Sequence, residues 1–119
     1  THSKRVCISL DVADEVLIAR GSGVVVGDLW ESLSKLDAAG CKRYVVTDNK
    51  SDGKMIGPNF NLLVKVQQKS SSSIISSGGV GALSDLAKLR QIGIAGVVVG
   101  KALYTGQIDL IEALDTCYK

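Results

Sequence analysis

The sequence predicts an α/β fold in which four strand–helix units follow one another and their strands lie parallel. Three observations carry that expectation. Short apolar runs (Arg5–Leu10, Arg43–Thr47, Ser73–Ser77 and Ala95–Val99) alternate with stretches whose apolar residues recur at helical spacing. The runs set apolar residues side by side at their centres, as in Tyr44-Val45-Val46 and Ile74-Ile75, rather than only at every second residue, as strands of a helix-covered parallel sheet do. Two of them end abruptly in glycine, at Ser76-Ser77-Gly78-Gly79-Val80 and at Val97-Val98-Val99-Gly100-Lys101, one strand–helix unit apart.

Arg5 to Leu10 reads as the first strand, and Asp11 follows at its C-terminal end, where parallel α/β sheets gather their ligands. A turn or capping aspartate would fit the same place. Glu15–Arg20 reads as an extended excursion, and Gly21-Ser22-Gly23 breaks it, in a loop long enough to reach a substrate. Asp28 to Ala39 sets Leu29, Trp30, Leu33 and Leu36 on one helical face with Gly40 to stop the helix, so Trp30 is expected in the core. The second strand delivers Thr47 and Asp48 to its end. The loop from Asn49 to Asn59 holds Asp52-Gly53 and Gly57-Pro58-Asn59, two turn signals close together. Phe60, Leu62, Leu63 and Val66 then make a short amphipathic helix, and Ser70–Ser73 is a polar connector to which no function is assigned. After the third strand, Ala82–Gln91 reads as a helix with Ser84 as its cap, Leu86 and Leu89 on its buried face and Gly93 at its end. Lys101–Tyr104 is a short extra helix. Asp109 and Glu112 stand at capping-box spacing, and the final helix is expected to bury Leu110, Ile111 and Leu114.

Composition narrows the classes. With 119 residues, 45% of them hydrophobic, the chain is expected to form a single domain over residues 1–119 with a real core. Fourteen basic against 12 acidic residues, spread evenly, leave no basic stripe for nucleic acid, and aromatic residues for base stacking are few. No apolar run approaches the roughly 20 residues of a membrane span, and no signal-peptide pattern is present, so the expected location is cytoplasmic. Cys7, Cys41 and Cys117 are odd in number and widely spaced, and His2 is the only histidine. That excludes a zinc site and argues against a disulfide framework. No metal and no cofactor are expected.

Gly78 and Gly79 can take positive φ and present no side chain, so backbone N–H groups can close on an anion just before the helix that follows. Gly100 and Lys101 repeat the arrangement where the fourth strand gives way to the short helix. Either motif alone would equally be a turn; together they offer two adjacent strand ends to one phosphate. A complete (β/α)8 barrel needs roughly 250 residues, so four units make half of one. An open doubly wound sheet is the alternative. A phosphate site shared by the last two strand–helix loops, with a short extra helix, is a barrel habit. The first strand also lacks the glycine fingerprint of a dinucleotide-binding sheet. The fold is therefore read as a (β/α)4 half-barrel.

The motifs that remain point to a family. Asp28-Leu29-Trp30-Glu31, Leu36-Asp37-Ala38-Ala39-Gly40-Cys41, Val45-Val46-Thr47-Asp48 with Asp52-Gly53 and Gly57-Pro58-Asn59, then Ser77-Gly78-Gly79-Val80 and Val99-Gly100-Lys101-Ala102-Leu103-Tyr104 occur in order along nearly the whole chain. This series resembles the C-terminal half of the phosphoribosyl isomerases of histidine biosynthesis, and among them the actinobacterial bifunctional form that also serves tryptophan biosynthesis. Gly57-Pro58-Asn59 sets it apart from the related cyclase that shares the glycine motifs. The resemblance implies the fifth to eighth units of a barrel and an Amadori rearrangement of an aminoaldose to an aminoketose. The implied substrate is N-(phosphoribosyl)formimino aminoimidazole carboxamide ribotide, with phosphoribosylanthranilate as a second one. It also implies that Asp52 is the acid/base from this half, with the partner aspartate on the missing half. Asp11 would stand at the strand end related to that missing aspartate by the internal twofold, and Thr47 beside the reacting sugar. Ser77, Gly78, Gly79, Gly100 and Lys101 would hold a substrate phosphate, and Arg20 would come from the loop after the first strand. One departure stands out: Ser22 takes the place of a tryptophan in Arg20-Gly21-Ser22, and Val24-Val25-Val26 replaces a polar stretch. A stacking ring for the substrate is missing, which bears on affinity and on dual specificity.

Two functions fit. The first is an isomerase half that is catalytic when an N-terminal half-barrel completes it. The second is a non-catalytic phosphate-binding or self-assembling half-barrel. Expected partners are a sugar-phosphate substrate and either the N-terminal half or a second copy of the chain, with no nucleic acid and no membrane. Half a barrel leaves two strand edges and an apolar hollow, so association is expected.

Overall fold

A computed structural model describes residues 7–13, 16–18, 25–49 and 57–118. The chain runs through β1 (Ile8–Ala13), β2 (Val16–Ile18), β3 (Val25–Asp28), α1 (Leu29–Ala38), β4 (Arg43–Asp48), α2 (Phe60–Lys69), β5 (Ser73–Ser77), α3 (Leu83–Gln91), β6 (Gly96–Val98), α4 (Lys101–Tyr104) and α5 (Leu110–Tyr118). One sheet collects the strands in the order β3-β2-β1-β4-β5-β6. β1, β4, β5 and β6 are parallel neighbours in chain order. A doubly wound sheet reverses its strand order at a switch point; these four strands do not. Crossovers of one hand in an unreversed order drop every helix on the same face, so the fold is half of a (β/α)8 barrel.

The excursion expected after the first strand is present, and it is itself sheet. β2 lies antiparallel to β1, pairing Val12 with Leu17 and Ala13 with Val16, and β3 lies antiparallel to β2. β2 therefore covers only the C-terminal end of β1's outer edge. β1 also runs further than expected: Asp11 sits within it, paired with Thr47, rather than beyond its end. In-register hydrogen bonding to β4 as far as Val12 extends it.

Side chains alternate across a strand, and the buried set follows that alternation. Leu10 and Val12, Tyr44 and Val46, and Ile74 enter one core with Leu29 and Leu33 of α1, Leu62, Leu63 and Val66 of α2, and Leu86 and Leu89 of α3. Local signals place the helices. The Asp28 carboxylate accepts the Glu31 N–H at 2.9 Å and opens α1; Gly40, at φ 95°, closes it. Asn59 caps α2 through the Leu62 N–H, and Asp109 caps α5 through the Glu112 N–H. Ser84 is not the cap of α3: that position is Ala82, and Asp85 supplies the acceptor by reaching back to the Gly81 and Ala82 N–H groups at 2.9 and 3.2 Å.

Two burial expectations need correction. Trp30 is only half-buried, with the Lys69 ammonium 5.7 Å from its ring centroid. α5 turns Leu110, Ile111 and Leu114 outward at 56%, 77% and 47% exposure, burying Ala113 instead. The helical pattern of α5 was right, but its apolar stripe is wider than the surface available to cover it.

The serine-rich connector has a structural task. Ser70 Oγ donates to Asp37 Oδ1 at 3.0 Å, Ser72 Oγ donates to the Cys41 carbonyl at 2.7 Å, and the Tyr44 hydroxyl, fully buried, donates to the same Asp37 oxygen. These bonds tie α1 to the N-terminal ends of β4 and β5. Burial, and then the bond to Asp37, holds the Tyr44 phenol well above its usual range. Tyr44→Phe should cost about 1–3 kcal/mol at neutral pH by removing a hydrogen bond to a charged group. Because the folded state favours the protonated phenol, the wild type's advantage should shrink as pH rises past about 10, where the unfolded tyrosine ionises. Urea melts of both proteins at neutral and alkaline pH measure the difference; equal stability at neutral pH would refute it.

Candidate functional site at the strand C-termini

With Leu10, Val12, Tyr44, Val46 and Ile74 committed to the helix layer, strand alternation turns Ser9, Asp11, Val45, Thr47, Ile75, Ser77 and Val98 to the other face. The register makes rows of them. Asp11 pairs with Thr47, Thr47 with Ser77, and Ser77 with Val98. Three predicted site residues thus stand side by side on the helix-free face, near the strand C-termini. Strand spacing puts Asp11 and Ser77 roughly 10 Å apart across Thr47. Thr47 is 1% exposed, while Asp11 and Ser77 are half-buried. The row beneath, Ser9, Val45, Ile75 and Gly96, carries one hydroxyl and otherwise apolar or no side chain.

Ser77 leads directly into Gly78 and Gly79, with φ values of 91° and 87°. Two left-handed residues in succession are a conformation that glycine alone adopts without strain. Since Ser77 and Val98 are in register, Gly79 and Gly100 each stand two residues past the same row. The two glycine motifs therefore arrive at one level of adjacent strand ends. Gly100 is the cap of α4 at φ −119°, and a methyl group added there would meet nothing within 4 Å. Lys101 opens α4 and is exposed.

One part of the anion expectation narrows. The N–H groups of Gly81 and Ala82, at the mouth of α3, are already taken by the Asp85 carboxylate. Donors for an anion would come from the glycine pair itself, not from the helix end. Asp52, Arg20, Ser22 and Val24 lie outside the described residues.

Two contacts beside the strand ends escaped sequence reasoning. Asn59 Nδ2 donates to Asp48 Oδ2 at 3.1 Å, on the helix side of the sheet. The Gly57 N–H donates to the Gly79 carbonyl at 2.7 Å, joining the Gly57-Pro58-Asn59 turn to the glycine loop. The signal for the first was an asparagine directly before an amphipathic helix, a capping position. Nothing local announces the second. Among the described residues no group of three or more His, Cys, Asp or Glu is arranged to hold a metal ion, and no helix is long and apolar enough to cross a membrane.

Parallel strands in unbroken order, helices on one face, and polar residues gathered on the other face at the strand C-termini define a segment of a (β/α)8 barrel, a fold whose sites lie at that end of its strands. A family model described as "Histidine biosynthesis protein" matches residues 1–109, and the chain belongs to that family. It is 48% identical to a protein of Salinispora tropica over 97% of this chain and 49% of that one. It is 46% identical to one of Renibacterium salmoninarum over 93% of this chain and 47% of that one, and 49% identical to one of Salinispora arenicola over 97% and 49%. All three are named as phosphoribosylated imidazole-4-carboxamide isomerases. The chain spans about half the length of the curated relatives it matches.

Proposed function

We propose that residues 1–119 form one half-barrel unit of a cytoplasmic phosphoribosyl isomerase, which rearranges an aminoaldose sugar phosphate to an aminoketose in histidine biosynthesis once a second half-barrel completes the site. The observation that carries this reading is the row of Asp11, Thr47 and Ser77 running into the Gly78-Gly79 loop. A carboxylate, a hydroxyl and a pair of left-handed glycines thus follow one another along the strand ends, which supports a site for a sugar phosphate.

The reaction is an isomerisation and needs proton transfers only. An acid protonates the furanose oxygen, the C1–O bond breaks and the substrate nitrogen forms a Schiff base. A base removes the C2 proton, and the resulting enaminol takes a proton at C1 to leave the C2 ketone. Carboxyl groups on opposite sides of the sugar perform these steps if their environments separate their pKa values. Asp52 is the acid/base of this half, Asp11 faces the reacting sugar from β1, and Thr47 hydrogen-bonds between them. Gly78, Gly79 and Ser77 take one phosphate, with Gly100 and Lys101 closing on it from β6 and Arg20 reaching it from the loop after β2. Acceptance of phosphoribosylanthranilate as a second substrate belongs to the same site.

The second half has a place to dock. Among the described residues β6 is paired on one side only, and β2 pairs with β1's outer edge at Val12 and Ala13. Exposed apolar side chains flank β6 on both faces: Val98, at 51% exposure, on the helix-free face, and Leu110, Ile111 and Leu114 of α5 on the helix side. An N-terminal half-barrel fits both edges at once, since its end strands would continue the sheet in both directions. A second copy would meet the same edges around a twofold axis.

Mixing the chain with a purified N-terminal half of a relative should give a one-to-one complex by sedimentation and turnover of the aminoaldose. The 12.5 kDa chain alone should be a dimer without turnover. A complex that binds phosphate but never turns over would favour the non-catalytic module.

A further inference from the structure

We infer that Asn59 is a positioning residue, which holds the Asp48 carboxylate against α2 and, through the turn it ends, sets the Gly79 loop at its working distance from the strand-end row. This rests on the phosphate and isomerase reading above. The Asn59 amide has one orientation that satisfies both its neighbours: Oδ1 accepts the Leu62 N–H at 3.1 Å and Nδ2 donates to Asp48 at 3.1 Å. Aspartate would cap α2 equally well but would set a second carboxylate against Asp48. Serine would cap but is too short to span both partners.

The other end of the turn is equally constrained. Gly57, at φ 103°, donates its N–H to the Gly79 carbonyl, and a Cβ on it would stand 3.6 Å from Asp85 Oδ1. Three residues thus join the end of β4 to the loop after β5. The space between them is filled: Asp48, Pro58, Asn59, Ser77 and Gly78 line a cleft of only about 10 Å³, at the limit of what holds one water. Asp48 and Asn59 line that cleft together with Gly78, so a second carboxylate at position 59 would add negative charge beside the loop that takes the phosphate.

The test uses Asn59→Ser, Asn59→Asp and the exchanged pair Asp48→Asn/Asn59→Asp. In the exchanged pair the new amide can donate to the new carboxylate, which still caps α2. Inorganic phosphate binding to this chain is measured by calorimetry, and KM and kcat in the complex with an N-terminal half. Asn59→Asp should raise the phosphate Kd and KM roughly tenfold through like-charge juxtaposition, and Asn59→Ser by less. kcat and Tm should stay near wild type, because both variants keep the cap. The exchanged pair should recover most of the lost affinity, because it restores one amide and one carboxylate; a purely structural role would instead move Tm together with Kd. Unchanged Kd in Asn59→Asp, a loss seen only in Tm, no recovery in the exchanged pair, or a wild-type chain that holds no phosphate would each overturn the inference. Absence of wild-type turnover with phosphate binding intact would overturn the isomerase reading and leave the phosphate titration to decide this one.

Discussion

Asp52→Asn and Asp11→Asn, each introduced into the chain and assembled with an N-terminal half, should lower kcat by about 10²–10⁴ with little change in KM. That is the range a positioned general acid or base contributes. An amide keeps the size and hydrogen-bonding reach of the carboxyl while abolishing proton transfer, so a loss confined to kcat reports chemistry rather than binding. The effect should be larger at Asp52, the acid/base proposed for this half. At Asp11 it comes from a residue whose place is fixed by register, beside Thr47 and one strand from Ser77. Steady-state kinetics of the two variants across pH decides the matter. Full kcat in Asp52→Asn would remove it from the acid/base role.

Gly79→Val should abolish measurable phosphate binding, a loss of at least about 100-fold. Gly79 stands at φ 87°, where an L side chain costs roughly 1–2 kcal/mol, and a β-branched one more. Relieving that strain rotates the Gly79 carbonyl away from the Gly57 N–H, losing a 2.7 Å bond between the two loops. It also reorients the adjoining amides, which the proposed site needs to face a phosphate together with Gly100. Calorimetry with inorganic phosphate measures the affinity, and circular dichroism reports whether the sheet survives. Wild-type affinity in a folded Gly79→Val protein would falsify the glycine-loop site. Gly100→Ala is the informative contrast, since a methyl group there meets nothing within 4 Å; only an anion seated in that space would feel it.

The periodic elements and their punctuation are legible in the residues alone. Ser73–Ser77 is the observed β5 to the residue, Lys101–Tyr104 is the observed α4, and Gly40, Gly78, Gly79 and Gly93 all take the positive φ that their positions after helices and strands require. These are local outcomes, set by side-chain spacing and by the one residue type that tolerates left-handed backbone. The row of Asp11, Thr47 and Ser77 was legible as three strand-end residues but not as a row, because register between strands far apart in the chain is a product of pairing.

Tertiary structure decided what local pattern leaves open. Whether Leu110, Ile111 and Leu114 are covered depends on what packs against α5, and helical periodicity says only that they share a face. Asp85 rather than Ser84 serves α3, because the chain enters that helix from the glycine loop with the Gly81 and Ala82 amides pointed at the carboxylate. The serines before β5 gained a role only when folding brought them to Asp37, 33 residues earlier for Ser70. The bond from Gly57 to Gly79 likewise joins two loops that neither sequence motif connects, since a hydrogen bond between backbone groups carries no side-chain signature.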